Sequence, residues 1–210
     1  MKVAFFSESD ADEAAIAILA SAVLSQAVER VPGPALRSRG WPSVRQILAT
    51  VIQHVHYQTD ASGLVVVADS NHSPAHQEAH AQLGRSDKAC RMCQLREIAD
   101  TAVGWLRPVA GRSPLRIAIG MAVPAIEAWY LAGKDPHVSE AVWIAGMQSG
   151  KFPYTKNDLK EKVYGTDRPS LPLEIKRAKE EATRLAASIA TIETLFPGGF
   201  GSLADVLRTW

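Results

Sequence analysis

Apolar residues form continuous runs in three short stretches and recur at helical spacing through most of the remaining chain. Val3-Ala-Phe-Phe6, Leu64-Val-Val-Val-Ala68 and Arg116-Ile-Ala-Ile-Gly-Met-Ala-Val123 read as strands. The middle run does not alternate and is bounded by Gly63 and Ser70-Asn-His-Ser-Pro74, the pattern of a strand covered on both faces. Ala14–Val28 carries Ile16, Leu19, Val23 and Ala27 on one helical stripe, and from an N-cap at Ser43 the residues Val44, Ile47, Leu48, Val51, Ile52 and Val55 form another. Between these helices Val31-Pro-Gly-Pro34 breaks the chain, and Ala35–Arg39 is expected as a short edge strand. Helices are expected over Ala75–Leu83 and Met92–Leu106, and Pro124 opens one carrying Glu127-Ala-Trp129-Tyr-Leu131.

Strands alternating with helices imply an α/β fold with a mostly parallel sheet flanked by helices. From about Asp135 no strand pattern follows. That part offers a helix near Ser139–Met147, a basic segment around Lys156–Lys162, a long helix Pro172–Thr191 and a terminal helix after Gly201. The organisation expected is an α/β domain over 1–135, with a metal-clipped helical insertion at about 72–106, and a helical extension over 136–210 packed on it. Trp105, Trp129 and Trp143 are expected to pack in core or subdomain contacts. His54 and His56 are expected at the surface.

The 210 residues are 47% hydrophobic with a formal net charge of +1, enough for one substantial core and without a global polyanion-binding signature. No stretch suits a membrane span, and no charged leader followed by an apolar segment opens the chain, so a cytoplasmic protein is expected.

Glu8 follows the first strand, Asp69 and Asn71 end the central one, and Glu127 follows the last. Ligands of open α/β sheets collect at the carboxyl ends of strands, so these residues can meet although far apart in sequence. Converging carboxylates are costly unless a hard cation such as Mg²⁺ neutralises them. The bland alternative for Asp69 is a turn or cap residue. Asp12 and Glu13 have a simple explanation in the first turn of a helix, where the dipole favours acids.

Phe5-Phe6-Ser7-Glu8-Ser9-Asp10-Ala11-Asp12-Glu13 resembles the glutamate loop of Toprim domains, Glu-Gly-x-x-Asp, and Val66-Val67-Ala68-Asp69-Ser70-Asn71 resembles their Asp-x-Asp strand end. Pro124-Ala-Ile-Glu127-Ala-Trp129-Tyr-Leu131-Ala132 is similar to a Pro-x-x-Glu-x-Trp-x-Leu-Ala segment of the uncharacterised Toprim-like bacterial proteins related to the OLD-type nucleases. The resemblance covers roughly the first 135 residues. It implies a Toprim-like (Rossmann-like) sheet and a Mg²⁺- or Mn²⁺-dependent phosphoryl-transfer enzyme acting on nucleic acid, a nuclease in defence against foreign nucleic acid. Glu8 would act as acid/base or metal ligand, and Asp69, Asn71 and Glu127 would complete the metal site. Ser9 stands where the family has glycine and Asn71 where it has a second aspartate, which lowers the charge offered to a metal. A catalytically silent Toprim-like binding or scaffold module therefore stays open as the alternative.

A second constellation is His76-x-x-x-His80 followed by Cys90-x-x-Cys93. Two His at i and i+4 share a helix face, and Cys-x-x-Cys at a helix start offers two thiolates, so a structural Cys₂His₂ zinc site is expected. Surface histidines beside two ordinary thiols are the competing reading. For a nucleic-acid substrate the candidate contacts are His72 beside the strand end and Lys156, Lys160 and Lys162, which alternatively form a solvated helix face. The charged face of Pro172–Thr191 reads as exposed, and a homodimer or a partner protein of a multi-gene system is the assembly expected.

Overall fold

The computed structural model describes residues 1–34, 40–76, 80 and 88–210. Its sheet has four parallel strands in the order β2-β1-β3-β4: β1 Lys2–Phe6, β2 Glu29–Val31, β3 Gly63–Asp69 and β4 Arg116–Ala122. The α/β, all-parallel architecture agrees with the sequence pattern.

Pleating explains why the central run is apolar throughout. Val3, Phe5, Val65 and Val67 enter one core, while Ala4, Phe6, Leu64, Val66 and Ala68 enter another on the opposite face. The second core is closed by α2 (Gly40–Gln58) and α3 (Arg91–Gly104), which pack on each other. The first is closed by α1 (Asp10–Val23) and by the helices after β4. These are α4 (Ile126–Tyr130), α5 (Glu140–Ser149), α6 (Lys156–Tyr164), α7 (Leu171–Ala186), α8 (Ile189–Leu195), a π-helical turn Pro197–Gly201 and α9 (Ser202–Arg208). Among the described residues no helix is long and apolar enough to cross a membrane.

Several local expectations change. The edge strand is β2, at Glu29–Val31; the expected Ala35–Arg39 strand lies outside the described residues, as does most of the Ala75–Leu83 helix. The long helix expected over Pro172–Thr191 breaks between Ala186 and Ile189, and it is not simply exposed. Its Ala178, Ala182 and Leu185 are buried, and it lies along the alanine-rich α1, small side chains on both helices allowing close approach. Trp129 and Trp143 are core residues, but Trp105 is 78% exposed because α3 ends at Gly104 and the helical stripe stops with it. His56 is buried rather than at the surface, its Nε2 lying 2.8 Å from the Arg107 carbonyl.

The C-terminal turn is seated tightly. Glu140 is buried and its carboxylate accepts the Gly198 and Gly199 amides at 2.9 and 3.1 Å. A Cβ on Gly199 would lie 2.2 Å from the Met121 carbonyl oxygen, so only glycine lets this turn approach β4.

Candidate functional site

The chain leaves β1 toward β2 on one side and later returns past β1 to place β3 on the other. That reversal opens a crevice at the carboxyl ends of β1 and β3, the place where open parallel sheets bind ligands. Ser9 caps α1 by accepting the Asp12 amide at 3.2 Å, which fixes the loop carrying Glu8. A Glu8 carboxylate oxygen in turn accepts the Asp69 amide at 3.1 Å, so the ends of β1 and β3 are tied together.

Asp69 is the last residue of β3 and only 6% exposed. One carboxylate oxygen accepts the Ile126 amide at 3.0 Å, and the other is ion-paired with the Lys156 ammonium from the first turn of α6. Its backbone carbonyl accepts the Arg91 guanidinium at 2.7 Å. Beyond it the Ser70 and Asn71 amides donate to the Ala122 and Pro124 carbonyls, both at 2.7 Å. Asn71 has φ 48°, a left-handed conformation that asparagine tolerates better than most residues.

A cavity of about 180 Å³ lies at this edge, lined by Glu8, Asp12, Asp69 and Glu127 together with Lys156 and Lys160. Asn71 and His72 are not among its lining residues. His72 packs against Phe152 and Trp143 instead, with ring centroids at 5.0 and 6.2 Å. Lys160 shares its charge with Glu174 at 3.7 Å, and Lys162 pairs with Asp135 at 2.7 Å. Asp12, whose place in the first turn of α1 already accounts for it locally, also lines the cavity, and the signal for this is its place as the fifth residue of Glu8-Ser-Asp-Ala-Asp12.

Glu8, Asp12 and Glu127 share this small cavity with Asp69 and Glu174, and burial with crowding disfavours the charge of the first three. Burial, then the charge of Asp69, pushes the Glu127 carboxyl up to about 7. The same two causes raise Glu8, and burial with the charges of Asp69 and Glu127 holds Asp12 well above the carboxylate range. Burial pulls the Lys156 ammonium down, but the Asp69 carboxylate outweighs it and the net shift is upward. Glu127 is 5% exposed, and its Oε2 has no hydrogen-bond partner among the described residues. A buried carboxylate oxygen without a hydrogen-bond donor is costly, and Lys156 and Lys160 offset its charge only in part, so this atom calls for a proton or a cation.

The second cluster also assembles. His76, His80, Cys90 and Cys93 each present one ligand atom, and these atoms lie within 4.8 Å of one another. His76 Nδ1 is 3.6 Å from Cys90 Sγ and 3.5 Å from Cys93 Sγ, and His80 Nδ1 is 3.9 Å from Cys93 Sγ. A tetrahedral ion with S ligands near 2.3 Å and N ligands near 2.0 Å separates S from N by about 3.5 Å. The cluster can therefore hold a metal ion such as zinc. Arg96 approaches His76 Nε2 at 3.0 Å. A guanidinium can only donate, so Nε2 bears the lone pair and Nδ1 the proton in this arrangement. A neutral histidine that gives Nδ1 to a metal carries its proton on Nε2, so a metal on His76 would require the Arg96 guanidinium to move off Nε2.

The chain matches no family model, no curated protein and no solved structure.

Proposed function

We propose that the acidic cleft is a divalent-metal site of Toprim type and that the protein is a Mg²⁺- or Mn²⁺-dependent phosphoryl-transfer enzyme acting on nucleic acid, a nuclease. The observation that carries this reading is Glu127 Oε2, buried and unpartnered in a cavity that Glu8, Asp12 and Asp69 also line. Hard cations take oxygen ligands of this kind. Glu8, Asp12, Asp69 and Glu127 would hold the ion, which when bound supplies Lewis-acid polarisation of a phosphoryl oxygen and an activated water. Lys156 and Lys160 stand where substrate phosphates would meet positive charge. Burial and then the charge of Asp69 raise the Glu8 carboxyl, and as the alternative to ligating the ion Glu8 would serve as acid/base.

In the same proposal the Cys₂His₂ cluster binds zinc as a structural ion, joining the loop after β3 to the first turn of α3. The thiol and imidazole ligands select a softer ion than the oxygen-lined cleft does.

The test is cleavage of single-stranded and duplex DNA and RNA with Mn²⁺ or Mg²⁺, comparing wild type with Glu8→Gln and Asp69→Asn. Metal-dependent cleavage that falls at least about a hundredfold in either variant supports the reading. A second reading, a catalytically silent binding or scaffold module, is favoured by one contact: Lys156 already neutralises Asp69 and supplies a counter-ion from the chain itself. Calorimetric Mn²⁺ titration separates the two. Binding that disappears in Asp69→Ala belongs to the enzyme, and a folded protein with no Mn²⁺ site belongs to the silent module.

A further inference from the structure

Arg91 lies between the two cysteines in sequence and touches the acidic cleft in space. It is the first residue of α3, and Cys90 before it is the N-cap. Its guanidinium donates to the Asp69 carbonyl at 2.7 Å and lies 4.6 Å from the centre of the Trp41 ring. Trp41 follows Gly40, which lines the cavity. Asp69 is thereby held on both sides of its backbone, its amide by Glu8 and its carbonyl by Arg91.

What fixes Arg91 is the turn that carries it. The Cys90 thiol faces the Cys93 thiol and the Met92 and Cys93 amides, and both thiols lie 3.5 Å or more from the histidine nitrogens they meet. Sulfur is a weak hydrogen-bonding partner, so these contacts hold the turn loosely, whereas two metal–thiolate bonds hold it firmly. We infer that the cysteine–histidine centre and the acidic cleft form one coupled unit in which Arg91 is the positioning residue: metal at the cluster sets the first turn of α3, and Arg91 transmits that setting to the backbone of Asp69. The inference rests on the cluster's binding of zinc as proposed above. It requires neither cleavage nor metal in the cleft.

The stacked, planar guanidinium matters as well as its charge. A lysine at this position keeps a cation near Glu8 and Asp69 but loses the fork that reaches the carbonyl and the face that lies over Trp41.

The test uses the full chain and reads amide hydrogen exchange at Asp69 and Ile126, whose N–H groups bond Glu8 and the Asp69 carboxylate. Zinc-loaded and chelator-stripped wild type are compared with zinc-loaded and stripped Arg91→Met and Arg91→Lys. Metal content and thermal melts are followed on the same samples. Stripping wild type is expected to speed exchange at both amides by about tenfold, the scale set by losing one net hydrogen bond. Arg91→Met is expected to show the fast rates with zinc still bound and no further change on stripping, and Arg91→Lys to resemble it. Equal rates in loaded and stripped wild type overturn the inference. So does an Arg91→Met protein that responds to stripping as wild type does, or full rescue by lysine, which would reduce Arg91 to a counter-charge. If stripping unfolds the protein, the zinc-loaded Arg91→Met sample alone decides, since slow exchange there sinks the proposal. Elemental analysis showing no zinc in wild type removes the cluster reading and this inference together. A missing Mn²⁺ site in a parallel titration strikes only the reading of the cleft.

Discussion

Replacing Glu127 with glutamine removes a charge from the most enclosed acid of the cleft while keeping its shape. In the native state its carboxyl holds a proton up to about pH 7, whereas the unfolded chain releases it near 4.5. Between those values the native state binds more protons than the unfolded state, so stability falls as pH rises, and the loss is complete above about pH 7. Each pH unit of that window is worth about 1.4 kcal/mol, and the whole comes to about 3 kcal/mol. At 5% exposure, solvent screening removes little of it. Glu8 and Asp12 slope the same way. His76 slopes oppositely, because burial and then the charges of Arg96 and His80 bring it down to about 4; the unfolded state takes up its proton first as pH falls. Denaturant melts of metal-free wild type and Glu127→Gln from pH 4.5 to 8, subtracted one from the other, cancel what the two share. The amide left without an acceptor adds a constant penalty of about 1–3 kcal/mol, so the slope is read rather than the offset. The expected result is that the variant gains about 3 kcal/mol on wild type across the range. Mn²⁺ should erase that gain by stabilising wild type alone, by about 2.7 kcal/mol at a hundred times its Kd. A flat difference curve refutes the reasoning.

Asp69→Asn should lose Mn²⁺ affinity by more than about a hundredfold in calorimetry. Its stability should nevertheless stay within about 1 kcal/mol of wild type, because Lys156, 39% exposed, re-enters water and the repulsion on Glu8, Asp12 and Glu127 falls. Chelation of the cysteine–histidine centre, or Cys93→Ser, should lower Tm by about 5–10 °C, the equivalent of losing an ion present at a hundred times its Kd; an unchanged melt, with no zinc by elemental analysis, removes that site. Gly199→Ala, forced against the Met121 carbonyl, should cost about 2 kcal/mol, or about 6 °C in a melt. A melt within about 1 °C of wild type would mean that the turn can shift away from β4 at little cost.

How much of this was legible in the sequence depended on whether one residue's neighbours decided its place. The buried strands declared themselves because both faces of β1 and β3 are apolar, and Glu8, Asp69 and Glu127 could be grouped because strand ends of a parallel sheet share one edge. Cys90 and Cys93 were visible by spacing alone, but their union with His76 depends on how the loop after β3 folds back. Asp12 was hidden by a sufficient local explanation: it does sit in the first turn of α1, and nothing near it in sequence indicates that α1 delivers it to the same cavity as Glu127. Asn71 admits two explanations at once. Its position in a strand-end motif suggested a metal ligand, while its left-handed backbone gives it a separate reason to be asparagine. Lys156 is the most consequential long-range partner, 87 positions beyond Asp69 and carried by a helix whose placement follows from the packing of α7 on α1. That distance also gives the C-terminal helices a chemical role. They close one face of the core and bring a cation to the Asp69 carboxylate, whereas Arg91 of the preceding unit donates to the Asp69 carbonyl.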